Sequence, residues 1–126
     1  MTWAFDELVP VLTCVTPMTE VVLAAGLPSR GLEVVGKADR AIELIELAVS
    51  RPDGVAVLDL TLAGRLGLRA IDLLASVSPG LRLVVVVPFP GLVVDALRRG
   101  ADRAVLLDDA TGLLAAVSEL RVVSEV

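Results

Sequence analysis

The sequence predicts an α/β domain built on a parallel sheet with helices on both faces. Five short apolar runs alternate with amphipathic stretches along the whole chain. One run, Leu81 to Val87 (LRLVVVV), is β-branched and nearly continuous in apolar character, as a strand covered on both faces requires. Another, Gly54 to Leu60 (GVAVLDL), leads from apolar residues into a single carboxylate, Asp59. Right-handed crossovers between successive parallel strands place helices on both sides of such a sheet.

Taken in order, Val9 to Val15 (VPVLTCV) reads as the first strand, with Pro10 acceptable at its start. Thr16 and Pro17 then suit the cap and first turn of a helix over Met18 to Leu27. Gly31 turns the chain into a strand over Leu32 to Val35, closed by Gly36. A helix over Ala38 to Ser50 carries Ile42, Ile45 and Val49 on its apolar face and Glu43 and Glu46 on its wet one. Asp53 and Gly54 turn into the central strand.

After it, Gly67 to Val77 is a helix with Leu68, Ile71, Leu74 and Ala75 on one face, ended by Ser78-Pro79-Gly80. Pro88 stops the fourth strand, and Leu92 to Arg99 is a short helix closed by Gly100. Ala104 to Leu107 is the fifth strand. Asp108 and Asp109 give an acidic start to a last helix through about Arg121.

A chain of 126 residues, 56% apolar, fits one domain over residues 1–126 with a core from about 9 to 121, and leaves apolar surface for an interface. With no histidine and one cysteine, the usual zinc sites, histidine-dependent catalysis and an internal disulfide are excluded. Cys14 reads as a small core residue. A net charge of −5, with Arg98-Arg99 as the one basic cluster, argues against direct nucleic-acid binding. No run is long enough to span a bilayer, and Asp6 and Glu7 stand where a signal peptide is basic, so the expected location is the cytoplasm.

The stretches LEVVGKA (32–38), RPDGVAVLDL (51–60), Gly64-Arg65-Leu66-Gly67, SPGLRLVVVV (78–87) and GADRAVLLDDA (100–110) resemble, in order and spacing, a bacterial response-regulator receiver domain. The resemblance implies a flavodoxin-like sheet ordered 2-1-3-4-5 with Asp59 at the phosphoacceptor position. It implies an acidic pair for a divalent ion at Val15 and Thr16, a hydroxyl at Val87 and a lysine at Leu107. An aromatic switch falls at Ala104, and the usual proline of the loop after Asp59 falls at Ala63. Only Asp59 keeps its type, so the resemblance implies a degenerate receiver that needs no cofactor or metal and is not an enzyme. Asp59 is expected to hydrogen-bond Thr16 or backbone amides.

The expected function is a phosphorylation-independent dimerisation or protein-interaction module in signalling or transcription regulation, with an output domain or protein as partner. The helices over 18–27 and 108–121 are apolar beyond one stripe, which makes Val21, Val22, Ala115, Ala116 and Val122 candidates for a homodimer interface. The face around Leu92 to Arg99 is the alternative. Small-molecule sensing at the emptied edge, and phosphorylation of Asp59 with atypical metal needs, are the other functional readings.

Overall fold

The computed structural model describes residues 8–51 and 53–123, with side chains through Arg121. Five strands, β1 (Val9–Cys14), β2 (Leu32–Lys37), β3 (Val55–Asp59), β4 (Arg82–Val87) and β5 (Arg103–Leu106), form one sheet in the order β2-β1-β3-β4-β5. Every neighbouring pair is parallel, with Val11 opposite Val55, Asp59 opposite Val86 and Val87 opposite Leu106. The flavodoxin-like architecture expected from the sequence is present.

Five helices cover the sheet: α1 (Pro17–Gly26), α2 (Ala41–Ser50), α3 (Arg69–Val77), α4 (Gly91–Arg98) and α5 (Ala110–Val123). Strand alternation divides the core in two. Leu12, Cys14, Leu58, Leu83, Val85 and Val87 pack under α2, α3 and α4. Val11, Val55, Val57, Val84 and Val86 pack under α1 and α5, against Leu23, Leu27, Leu113, Val117 and Leu120. α1 and α5 lie together on that second face, where the side chain of Leu114 fills the space beside Gly26.

Several boundaries and faces differ from expectation. β2 continues through Gly36 to Lys37, because the β1–β2 register slips between Val11 and Leu12 and Leu12 lies in the room left by Gly36. α2 starts at Ala41 rather than Ala38: Ala38 donates its amide to Thr13 in the sheet, and Glu43 Oε1 accepts from the amides of Asp39 and Arg40 at 3.0 and 3.1 Å. Its buried face is Ala41, Leu44, Ile45 and Ala48, and Ile42 and Val49 are exposed. In α3, Ala70 is buried and Ala75 faces outward. Two 3₁₀ turns, Leu60–Leu62 and Gly64–Leu66, take up the chain between β3 and α3, so α3 begins later than Gly67.

Among the described residues no helix is long and apolar enough to cross a membrane. Gly54 has φ 97°, and a Cβ there collides with the carbonyl oxygen of Pro10, so the turn into β3 requires glycine. Gly64 has φ 59° with open space around it. Gly64→Ala is therefore expected to lower stability by the left-handed backbone cost alone, about 1–2 kcal/mol, and Gly54→Ala by more because of the added collision, measured by urea denaturation; equal losses would contradict this account of the turn.

Candidate functional site

The carboxyl edge of the sheet collects the ends of β1, β3, β4 and β5, and β3 delivers Asp59 there at the end of a strand buried along its whole length. Asp59 is itself fully buried. The next residues turn at once into the Leu60–Leu62 3₁₀ turn, for which Asp59 is the N-cap. Its Oδ1 accepts the amide of Thr61 at 2.9 Å and the Thr61 hydroxyl at 2.6 Å. This is the local turn that aspartate favours with the residue two positions on. The other oxygen, Oδ2, is buried and accepts no hydrogen bond among the described residues.

The expected partner Thr16 is elsewhere engaged: its hydroxyl donates to Thr19 Oγ1 at 3.2 Å at the start of α1. Thr16 occupies the N-cap of α1 without a side-chain cap bond. Thr61, two residues from Asp59, forms an Asp-x-Thr turn with it, a signal carried by that spacing and not by apolar periodicity.

The remaining candidates extend the core rather than furnish polar groups. Val87 is fully buried against the α2–α4 side. Val15 and Ala104 are half-buried and pack against the two clusters on opposite faces. Leu107 lies one residue beyond β5, still held to the sheet by its amide donating to the Val87 carbonyl at 2.9 Å, with its side chain exposed. Ala63, in the loop after Asp59, is buried. Asp108 is exposed, and Asp109 caps α5 by accepting the Gly112 amide at 2.9 Å.

A hard divalent cation takes about six or more oxygens. Asp59 offers one carboxylate, Val15 none, and the Thr16 hydroxyl is turned to Thr19. Among the described residues no group of three or more histidine, cysteine or acidic side chains is placed to hold a metal ion. The donor set at this edge does not fit the ion that the resemblance implies for an active receiver.

Two further polar features lie beside this edge. Thr13, buried in β1, donates to Glu20 Oε1 of α1 at 2.8 Å, and Lys37 Nζ lies 3.7 Å from Glu20 Oε2. This cluster ties α1 to the two strands beneath it. Cys14 is fully buried, and burial first, then the charge of Asp59, then those of Glu43 and Asp39, push its thiol up from 9.0 to about 11. The core reading of Cys14 holds.

Of the interface candidates, Val21 and Ala115 face outward, and Val22 is half-buried. Ala116 is only 5% exposed and belongs to the core under α5, which corrects its assignment to a surface. It follows Ala115 by one residue, a rotation of about 100° around the helix, which carries it from the outer face to the inner. Val122 lies outside the described side chains.

Solved structures supply parallels in fold. The signal receiver domain of NarL from Mycobacterium tuberculosis is 28% identical, with a TM-score of 0.78 over 90% of this chain and 96% of that one. The CheX–CheY complex from Borrelia burgdorferi contains a chain 18% identical, with a TM-score of 0.80 over 94% and 92%. A LuxR-family two-component response regulator from Aurantimonas is 22% identical, with a TM-score of 0.77 over 90% and 85%. No protein-family model and no curated protein matches the sequence. The chain has the fold of the response-regulator receiver domains.

Two outcomes follow from this geometry. The folded chain holds the Cys14 proton where an unfolded chain releases it, so the residue's full contribution is present below pH 9 and is lost as pH rises through about 11. Between these limits the stability measured in urea is expected to fall more in the native sequence than in Cys14→Ala, by on the order of 2 kcal/mol; parallel curves would refute the burial account. At the edge, Asp59→Asn keeps the acceptor for Thr61 and is expected to change stability by less than about 1 kcal/mol, whereas Thr61→Val is expected to cost about 1–2 kcal/mol. A loss above about 2 kcal/mol in Asp59→Asn would place Oδ2 in a hydrogen-bonded network.

Proposed function

We propose that this chain is a receiver domain without phosphoryl chemistry, acting as a phosphorylation-independent interaction module in two-component signalling or transcription regulation. In this reading it is a binding domain and not an enzyme. The observation that carries it is the surroundings of Asp59: one oxygen is tied to Thr61, and the positions expected to hold an ion and phosphoryl oxygens carry Val15, Thr16, Val87 and Leu107. Phosphoryl transfer relies on positioned charge at the transferring group. Apolar side chains supply none.

A binding role needs a surface, and the outer side of α1 and α5 is our candidate for a homodimer. Met18 is 79% and Val21 65% exposed on α1, and Ala24, Ala25 and Ala115 are exposed on the same pair of helices. Burying such side chains between two copies removes apolar area from water. The competing face, with Phe89, Val94 and Leu97 exposed around α4, remains the alternative seat for a copy, an output domain or a protein partner. The net charge of −5 supports protein rather than nucleic acid as the partner.

Sedimentation at micromolar concentration is expected to give a dimer that Val21→Glu with Ala115→Glu dissociates. A monomer throughout removes the pairing, and a dimer indifferent to these changes but broken by Val94→Glu moves it to α4. Acetyl phosphate with Mg²⁺ is expected to add no mass to the chain. A phosphoryl adduct lost in Asp59→Asn would overturn the central claim.

A further inference from the structure

At the carboxyl edge, a concavity of about 210 Å³ opens between the first turns of α1 and the segment joining β5 to α5. Val22 and Leu113 form its floor, and Met18 and Leu107 flank it, both exposed. Asp108 and Asp109 stand at its rim, and no basic residue lines it. The two carboxylates are not equivalent. Asp109 is committed to the Gly112 amide as the cap of α5, whereas the Asp108 carboxylate makes no hydrogen bond or ion pair among the described residues.

We propose that this concavity is a binding site for a small amphiphilic cation, an organic ammonium with a short apolar body. The apolar body lies over Val22 and Leu113 between Met18 and Leu107, and the positive head meets Asp108. Pockets for drug-sized ligands run from about 300 Å³ upward, so this space selects a compact molecule. An anion is disfavoured because the Asp109 carboxylate already sits at the N-terminus of α5, where it accepts the Gly112 amide, and Asp108 adds a second negative charge. A second copy of the chain docked symmetrically over this rim brings its own Asp108 and Asp109 with it, which repels rather than neutralises. Met18 also belongs to the proposed α1–α5 dimer face, so the ligand is bound by the monomer, and where the chain pairs the titration uses Val21→Glu with Ala115→Glu.

The test uses the full chain, labelled with ¹⁵N and titrated at low ionic strength with hexylammonium, hexanol and hexanoate. Hexylammonium is expected to shift the amides of Met18, Val22, Leu107 and Leu113 saturably and to bind about five-fold more tightly than hexanol, the effect of one exposed charge pair, with hexanoate weakest. Asp108→Asn, at an exposed and unpartnered position, is expected to keep the melting temperature and to reduce hexylammonium to the affinity of hexanol. Absence of saturable shifts, shifts centred elsewhere, or a cation preference that survives Asp108→Asn each overturns the proposal. So does the appearance of the same shifts on raising the concentration of Val21→Glu with Ala115→Glu alone, which would make a second copy the occupant.

Discussion

A strand hydrogen-bonded on both sides and covered on both faces has no interior place for a charge, and β3 is such a strand. Val55 to Leu58 are buried without exception between β1 and β4. The one carboxylate it carries is therefore driven to its end, where the sheet stops and the backbone can turn back upon it. The placement of Asp59, the 3₁₀ turn that follows and the layering of helices above and below all follow from that one constraint.

What surrounds the strand end decides what it is able to do. In this chain the neighbouring strands finish in apolar residues: Val87 completes the apolar column of β4, and Leu107, its side chain exposed, prolongs β5 by a single ladder bond. Thr61 satisfies half of Asp59 from within the same turn. The edge is thereby made more like an interior than like a polar cleft, and the features left for recognition are outward helix faces and shallow hollows between them.

The two-sided layering was legible because it rests on apolar runs and their spacing, which Leu81 to Val87 and Gly54 to Leu60 display plainly, whereas the strand order came only from the resemblance to receiver domains. Helix starts were less so. The beginning of α2 is set by Glu43 reaching back to the amides of Asp39 and Arg40, a contact that apolar periodicity does not encode. The face of α2 differs for a related reason: Ile42 and Val49 carry more hydrophobicity than Ala41 and Ala48, yet it is the smaller pair that is buried. At the site, the position of Asp59 was readable from the strand and its surroundings only in part. Which hydroxyl bonds it depends on the tightness of the following turn, and which of two adjacent alanines faces outward depends on the phase of α5. Neither phase nor turn geometry is written in residue type alone.

The slip in pairing between β1 and β2 has a consequence at the margin of the sheet. An outermost strand with unpaired amides and carbonyls is a template onto which a foreign strand can add, and irregularity or charge along it is a common defence. β2 carries the extra residue of the slip, with Glu33 and Lys37 exposed along its length, and β5 at the opposite margin is four residues long and begins at exposed Arg103. Both margins are poor templates. The domain is thus guarded against runaway edge-to-edge stacking even though more than half of its residues are apolar.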